Sequence, residues 1–256
     1  MIPAERRQRM LQVINQQGTA TIIQLSDQFA VSEMTIHRDL KVLESIGRVE
    51  KTYGGVILRQ AQVVTDFERR RLLNIEAKQI IGKTAASLVE DGDTILIDAS
   101  STCLQMIPDL ALKNDLTVFT TGLTALLQLS AFPNIELHGT GGQVPKGTNS
   151  FSGALAIETL KNIHVDKCFM GAAGINPPYG ITDPILSVAE VKKFSASAAN
   201  EVIILADRSK LGRVTKFNVL SFKEIDLIIT DAEEDSPCIK DIREQKVELL
   251  LVNNQK

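Results

Sequence analysis

From Thr94 onward, short apolar stretches alternate with stretches of helical spacing, and that alternation admits few folds. The apolar stretches fall at Thr94–Asp98, Leu116–Thr120, Ile135–Gly139, Val165–Gly171, Val202–Asp207, Leu227–Thr230 and Val247–Val252. Helical spacing occupies Thr102–Leu112, Gly122–Ser130, Gly153–Asn162, Ile185–Asn200 and Pro237–Gln245, with an earlier helix expected over Ile75–Val89. Such alternation predicts α/β architecture: a mainly parallel sheet with helices on both sides. In these sheets ligands bind beyond the carboxyl ends of the strands.

The strand ends carry the chemistry. Asp98 is followed by Ala99, Ser100, Ser101 and Thr102 at a helix start; Thr121 and Gly122 follow the second strand; Gly141 and Gly142 follow the third. Gly171 closes the fourth strand, and Asp207 with Lys210 closes the fifth. Small hydroxyl and glycine residues at helix starts leave backbone N–H groups free, and the helix dipole favours an anion there. Lys210 adds a full positive charge, and Asp98 and Asp207 can accept hydrogen bonds from sugar hydroxyls. The combination predicts a crevice for a phosphorylated sugar or polyol.

The first 58 residues read differently, as three short helices and a hairpin. Met10, Leu11 and Ile14 mark the first helix, and Gly18 stops it. Thr21 with Gln24 three residues on is a capping-box pattern that opens a second helix with Ile22, Leu25 and Phe29 inward. Ser32 caps a third helix, expected from Glu33 to Ile46. There Ile36, Leu40 and Leu43 share a buried stripe, while Arg38, Lys41 and Ser45 point the opposite way, flanked by Thr35 and His37. Val49 to Leu58 reads as two strands around Tyr53 and Gly54. Helix, turn, helix and wing is an arrangement that docks on double-stranded DNA, with the last helix in the major groove and the wing on the backbone. Ser32, Thr35, His37, Arg38, Lys41, Ser45, Tyr53 and Gly54 are the expected contacts.

Charge agrees with this division. Residues 1–59 hold eight Lys and Arg against six Asp and Glu, a balance of +2; the remainder holds 20 against 25, a balance of −5. A basic head on an acidic body suits a small DNA-reading module joined to a larger domain. Between them, residues 59–74 show no sustained pattern and serve as a linker. Its triplet Arg69-Arg70-Arg71 reads as a solvated helix end.

Several classes are excluded. No apolar run approaches the length of a membrane span. Met1 to Met10 carries three arginines with no apolar stretch behind them, unlike a secretory signal. Cys103, Cys168 and Cys238 are odd in number and far apart, which argues against a disulfide frame or a structural zinc site and fits the cytoplasm. No metal or cofactor is expected. Ala77 to Thr84 satisfies the loose phosphate-binding loop pattern, but no strand precedes it and the segment reads as an amphipathic helix. As an enzyme, the alternative is a sugar-phosphate isomerase with an appended head. That reaction needs a positioned base, and Asp98, Asp183, Glu190 and Asp207 form no pair of telling spacing. His138, His164, Cys103 and Cys168 read as structural, so no catalytic residue is assigned.

The stretch Val31-Ser32-Glu33-Met34-Thr35-Ile36-His37-Arg38-Asp39-Leu40, with Leu43-Glu44, Gly47 and Tyr53-Gly54-Gly55-Val56, closely resembles the signature of the DeoR-type bacterial transcription regulators. The resemblance continues through Asp98-x-x-Ser101-Thr102, Thr121-Gly122, Gly141-Gly142, Gly171-x-x-Gly174, Leu205-Ala206-Asp207-x-Ser209-Lys210 and Ile229-Thr230-Asp231. It implies a winged helix-turn-helix domain over residues 1–58. It also implies an effector-sensing and oligomerising domain over 75–256 that resembles sugar-phosphate isomerases in fold. Repression of a carbohydrate or polyol operon, relieved by a phosphorylated sugar or polyol, is the implied function. A dimer or tetramer is expected, because one small head makes too few contacts for tight specific binding. The chain departs from the family at His37 and Tyr53, where Arg and often His are usual, at Ser100 in place of Gly, at Ser101 in place of Thr, and at Thr121 in place of Asn.

Overall fold

A computed structural model describes residues 2–17, 19–45, 49–52, 55–58 and 66–252. By its contacts the chain divides into two compact units, Met1–Asp66 and Phe67–Lys256.

In the first unit, helices α1 (Pro3–Gln17), α2 (Ile22–Phe29) and α3 (Glu33–Ser45) enclose a small core. Met10, Ile14, Leu25, Ile36, Leu40 and Leu43 are all buried in it, together with Ala20, Val49 and Val56. The expected capping box forms: Thr21 Oγ1 accepts from the Gln24 N–H at 3.2 Å, and Gln24 Oε1 accepts from the Thr21 N–H at 2.9 Å. Ala30 ends α2 in the left-handed region (φ 51°), and the Val31 N–H returns to the Ser26 carbonyl at 3.2 Å. That sharp reversal turns the chain from α2 into α3. Strands β2 (Val49–Thr52) and β3 (Gly55–Leu58) pair antiparallel from Val49↔Leu58 to Thr52↔Gly55. A third strand, β1 (Thr19–Thr21), pairs with β3 on its other side. It has three residues and one buried side chain, Ala20, too little for any alternation to show in the sequence.

The second unit opens with α4 (Asp66–Leu72), inside the segment that read as patternless. Its anchor is Phe67, 2% exposed and part of the main core. Helix α5 (Ile75–Ser87) follows. It is continuous through the loop-like motif, so Gly82 serves packing: a Cβ there would lie 2.6 Å from Gln105 Cβ. Then come β4 (Thr94–Ile97), a 3-10 turn at Cys103–Met106, α6 (Ile107–Leu110), β5 (Leu116–Thr120), α7 (Leu123–Leu129), β6 (Ile135–Gly139), α8 (Ala154–Lys161) and β7 (Val165–Gly171). One helix expected over Thr102–Leu112 is therefore a 3-10 turn and a single α-turn. Pro108 has no N–H to donate to the Leu104 carbonyl four residues back, and that carbonyl is taken by the Ile107 N–H instead, which interrupts the α-helical run.

The chain continues through β8 (Gly174–Asn176), β9 (Gly180–Asp183), α9 (Leu186–Ser197), β10 (Ala199–Leu205), β11 (Phe217–Leu220), β12 (Leu227–Thr230), α10 (Pro237–Arg243) and β13 (Glu248–Leu251). Seven strands form one parallel sheet in the order β13-β12-β10-β7-β4-β5-β6. Its faces alternate with period two. Ile95, Ile97, Phe169, Ile203 and Ile229 pack with α5, α6 and α7, while Leu96, Cys168, Met170, Ile204 and Ile228 pack with α8, α9 and α10. A second sheet, β11-β9-β8, is antiparallel and was not anticipated. Its strands have three or four residues and include Gly174 and Gly180, so they carry no readable period.

The strand order sets the site. From β4 the chain steps outward to β5 and β6, then returns to β7 on the other side of β4 and proceeds to β10. The reversal between β4 and β7 leaves a crevice at their carboxyl ends.

Candidate functional site

Helix α3 presents two unlike faces. Ile36, Asp39, Leu40 and Leu43 are buried; Ser32, His37, Arg38, Lys41 and Ser45 are exposed, and Thr35 is half-buried. Ser32 Oγ stands 3.0 Å from Thr35 Oγ1 and 3.4 Å from the Thr35 nitrogen, at the start of the helix. Tyr53 and Gly54 lie outside the described residues. One contact went unread in the sequence. Arg6 Nε donates to Asp39 Oδ2 at 2.7 Å, with Arg7 Nε 3.8 Å from the other oxygen, so a nearly buried ion pair ties α1 to α3. The signal was available: Asp39 sits within the apolar stripe, where a carboxylate needs a partner.

At the reversal in strand order, Asp98 follows β4 and is 2% exposed. Its Oδ1 accepts from the Ser100 N–H at 2.8 Å and its Oδ2 from the Gly171 N–H at 3.0 Å. Lys192, on α9, donates to Asp183 Oδ2 at 3.1 Å and to the Gly171 carbonyl at 2.8 Å, with its ammonium 3.6 Å from Asp98 Oδ2. Burial opposes the charge on Lys192, but the Asp183 and Asp98 carboxylates outweigh it and hold its pKa above the ordinary lysine value. Both Asp98 oxygens thus accept hydrogen bonds within the protein and brace the ends of β4 and β7. Ser100 occupies the space over Gly171, where an added Cβ would lie 2.4 Å from Ser100 Cβ, and its hydroxyl accepts from the Cys103 N–H at 3.1 Å. Among the described residues, the Ser101 and Thr102 amides have no acceptor. The helical run after them is too short for a strong dipole, so their donors act locally.

The neighbouring strand end, after β10, holds most of the charge. Asp207 is 1% exposed. Its Oδ1 accepts from Asn74 Nδ2 at 2.9 Å and from the Ser209 N–H at 3.1 Å, while its Oδ2 is buried with no hydrogen-bond partner among the described residues. Lys78, on α5 and 2% exposed, donates to the Arg70 carbonyl. Burial depresses its pKa to about 8; Asp207 opposes this, while Lys210 and Arg70 add to it. Burial also lowers the Lys210 pKa, with Asp207 opposing and Arg213 and Arg70 adding. The Arg70 charge acts on Lys192 as well. Lys78 and Lys210 thus both lie against the Asp207 carboxylate, while Lys192 is held between Asp98 and Asp183.

Asp98, Ser100, Ser101, Thr102, Gly171, Asp207 and Lys210 meet at the ends of the adjacent strands β4, β7 and β10. Thr121 and Gly122, after β5, border the end of β4, where a Cβ on Gly122 would lie 3.1 Å from Ala99 Cα, whereas Gly141 and Gly142 follow the edge strand β6, about 19 Å from β10 at ordinary strand spacing. Thr121 is 2% exposed and its carbonyl accepts from the Phe151 N–H at 2.7 Å. The Gly122 N–H donates to Thr120 Oγ1 at 3.0 Å. Gly142 has φ 106°, and a Cβ there would meet the Ser152 carbonyl oxygen at 2.5 Å, so only glycine lets the loop lie on the start of α8. Sequence reasoning missed Arg70, Asn74, Lys78 and Lys192. The four-residue spacing of the first three was a legible signal, obscured by the absence of an apolar pattern around them.

Cys103 and Cys168 are fully buried, and burial pushes both thiols up. Among the described residues no group of His, Cys, Asp and Glu could hold a metal ion, and no helix is long and apolar enough to cross a membrane.

A helix-turn-helix head with an outward cationic helix, and a parallel α/β domain with a cationic crevice, define a ligand-sensing DNA-binding regulator as the class. The family model described as the DeoR-like helix-turn-helix domain matches residues 6–62, and that of the DeoR C terminal sensor domain matches residues 73–232. This chain belongs to the DeoR family of transcriptional regulators. It is 37% identical to the HTH-type transcriptional regulator GolR of Listeria innocua over 232 residues, 90% of this chain and 91% of that one. It is 35% identical to the HTH-type transcriptional repressor GlcR of Bacillus subtilis, over 90% of this chain and 89% of that one. Among solved structures, ribose 5-phosphate isomerase A from Methanocaldococcus jannaschii matches at a TM-score of 0.40 and 21% identity, covering 54% of each chain. A score that low carries no argument about activity.

Proposed function

We propose that this regulator represses a carbohydrate or polyol operon from the cytoplasm and releases its operator when a phosphorylated sugar or polyol enters the crevice at the ends of β4, β7 and β10. The observation that carries the reading is the buried charge imbalance around Asp207. Lys78 and Lys210 are held at depressed pKa values beside a single carboxylate, and a phosphate group supplies the missing negative charge. Amides of Ser101 and Thr102, with Lys78 and Lys210, take the phosphate. Asp207 Oδ2, buried without a hydrogen-bond partner among the described residues, accepts from a sugar hydroxyl. A relative named as a putative aga operon transcriptional repressor in Escherichia coli O157:H7 supports repression of an operon.

On the DNA side, Ser32, Thr35, His37, Arg38, Lys41 and Ser45 face the duplex, with Tyr53 and Gly54 as wing contacts. A homo-oligomer, dimer or tetramer, pairs the heads on half-sites about 34–36 Å apart or a multiple of that. The domain assignment that goes with this is a head over 1–58, a linker over 59–74 and a sensor over 75–256. The reading includes no catalysis: Asp98 and Asp183 are tied to Lys192 and are poor candidates for a mobile base. A thermal-shift screen of the purified chain against phosphorylated sugars and polyols tests it. The expected result is stabilisation by at least one phosphorylated compound, without turnover and without response to the unphosphorylated parent. Conversion of the compound to an isomer would return the enzyme reading.

A further inference from the structure

The outward stripe of α3 is not all charge. At 100° per residue, Arg38, Lys41 and Ser45 fall within about 40° of Met34 around the helix axis. Met34 therefore lies at the middle of the face opposite Ile36, Leu40 and Leu43, and in the first turn of the helix. It is 72% exposed. An exposed apolar side chain alone means little, since single ones are common on any surface. Its place is what sets this one apart. The residues sharing its stripe are a guanidinium, an ammonium and a hydroxyl, which suit a polyanion rather than a second apolar protein surface. The N-terminal residues of a recognition helix are the ones that reach base edges. An apolar group there has one natural partner in the major groove, the 5-methyl group of thymine, which alone among the groove-edge groups offers no hydrogen bond.

We infer that Met34 is a base-reading residue that selects thymine by packing its thioether chain on the 5-methyl group, next to the base or phosphate held by Arg38. This rests on the reading of α3 as the helix that enters the groove, and it adds a position at which sequence is read without a hydrogen bond. Methionine suits such a contact, because it is unbranched and adaptable and loses exposed apolar area on docking. Glu33 and His37, its exposed neighbours, are polar and cannot substitute for it.

The test uses the full chain. Bound duplexes are selected from a randomised pool, and each thymine of the selected site is replaced in turn by deoxyuridine, which removes only the methyl group. Affinities are measured by fluorescence anisotropy for the wild type, Met34→Ala and Met34→Leu. At one thymine, deoxyuridine is expected to weaken the wild type about fourfold, the worth of one buried methyl group. Met34→Ala should bind thymine and deoxyuridine duplexes equally there, while Met34→Leu keeps part of the difference. Wild type and Met34→Ala losing the same amount at every thymine, or no thymine responding, would overturn the assignment while leaving the DNA-binding reading intact. A pool that yields no enriched sequence would overturn both.

Discussion

In the head, Asp39 is buried against Arg6 with Arg7 close by, and the pair joins two helices of one small core. In the sensor domain, Asp207 is buried among Lys78, Lys210 and Arg70, and one of its oxygens has no hydrogen-bond partner among the described residues. Lys192 with Asp98 and Asp183 follows the first pattern: every oxygen near it is engaged, and its charge is held in place. Buried charge whose hydrogen bonds are met within the protein pins elements of the fold together, whereas a buried carboxylate oxygen left without a partner, beside lysines whose charge is opposed by burial, fits a place that something from outside completes. Desolvation explains the difference, since a cation without enough counter-charge costs free energy until an anion arrives.

That contrast can be broken at four points. Lys192→Met leaves Asp98 and Asp183 buried without their shared cation, and should destabilise the sensor domain by about 4 kcal/mol; urea denaturation followed by circular dichroism reads it. An unchanged midpoint would mean the triad is not structural. Asp39→Ala leaves Arg6 buried and unpaired, with an expected loss of about 3 kcal/mol in the head and weaker operator binding in proportion. Lys78→Met should behave in the opposite way. Without ligand its stability should stay within about 1 kcal/mol of wild type, because the lost charge was poorly compensated, while phosphosugar affinity falls about tenfold with the loss of a charge-assisted hydrogen bond. Calorimetric titration separates the two quantities, and a large loss of unliganded stability would place Lys78 with the structural group.

The smallest effect is a pH dependence. Lys78 titrates at about 8 when folded, against an ordinary value near 10.5. Between these values the unfolded chain holds the proton that the folded chain has released, so Lys78 adds stability as pH rises through that window. Phosphosugar affinity runs the other way, because an anion needs the protonated form. It should fall severalfold between pH 7 and pH 9, and Lys78→Met should remove that part of the dependence. Identical pH profiles for the two proteins would show that Lys78 does not face the ligand.

Much of the architecture was readable because it is local. The α3 stripe, the Thr21 capping box and the seven parallel strands each repeat a short pattern that burial enforces, and the strand ends follow directly from the strands. The small antiparallel sheet was not readable, since its strands are too short to show a period. Helix α4 was missed because one buried residue, Phe67, holds it. The crevice was half legible. Asp207 and Lys210 stand at a strand end and announce themselves, but Arg70, Asn74, Lys78 and Lys192 come from α4, α5 and α9 and meet only when the sheet order is known. Asp98 reads in the sequence as a ligand contact, and its hold on the Ser100 and Gly171 amides shows only once the sheet order is known.

Under the proposed function, filling the crevice loosens the grip of the head, and linkage requires that such coupling act in both directions. Its most direct test is to titrate phosphorylated sugars and polyols into the operator-bound full chain, following fluorescence anisotropy, for the wild type and for Lys210→Ala. At least one phosphorylated compound is expected to release the wild type, with Lys210→Ala staying bound at the same concentration while binding the operator normally without ligand. Equal release of both proteins, or a complex that no phosphorylated compound disturbs, would contradict it.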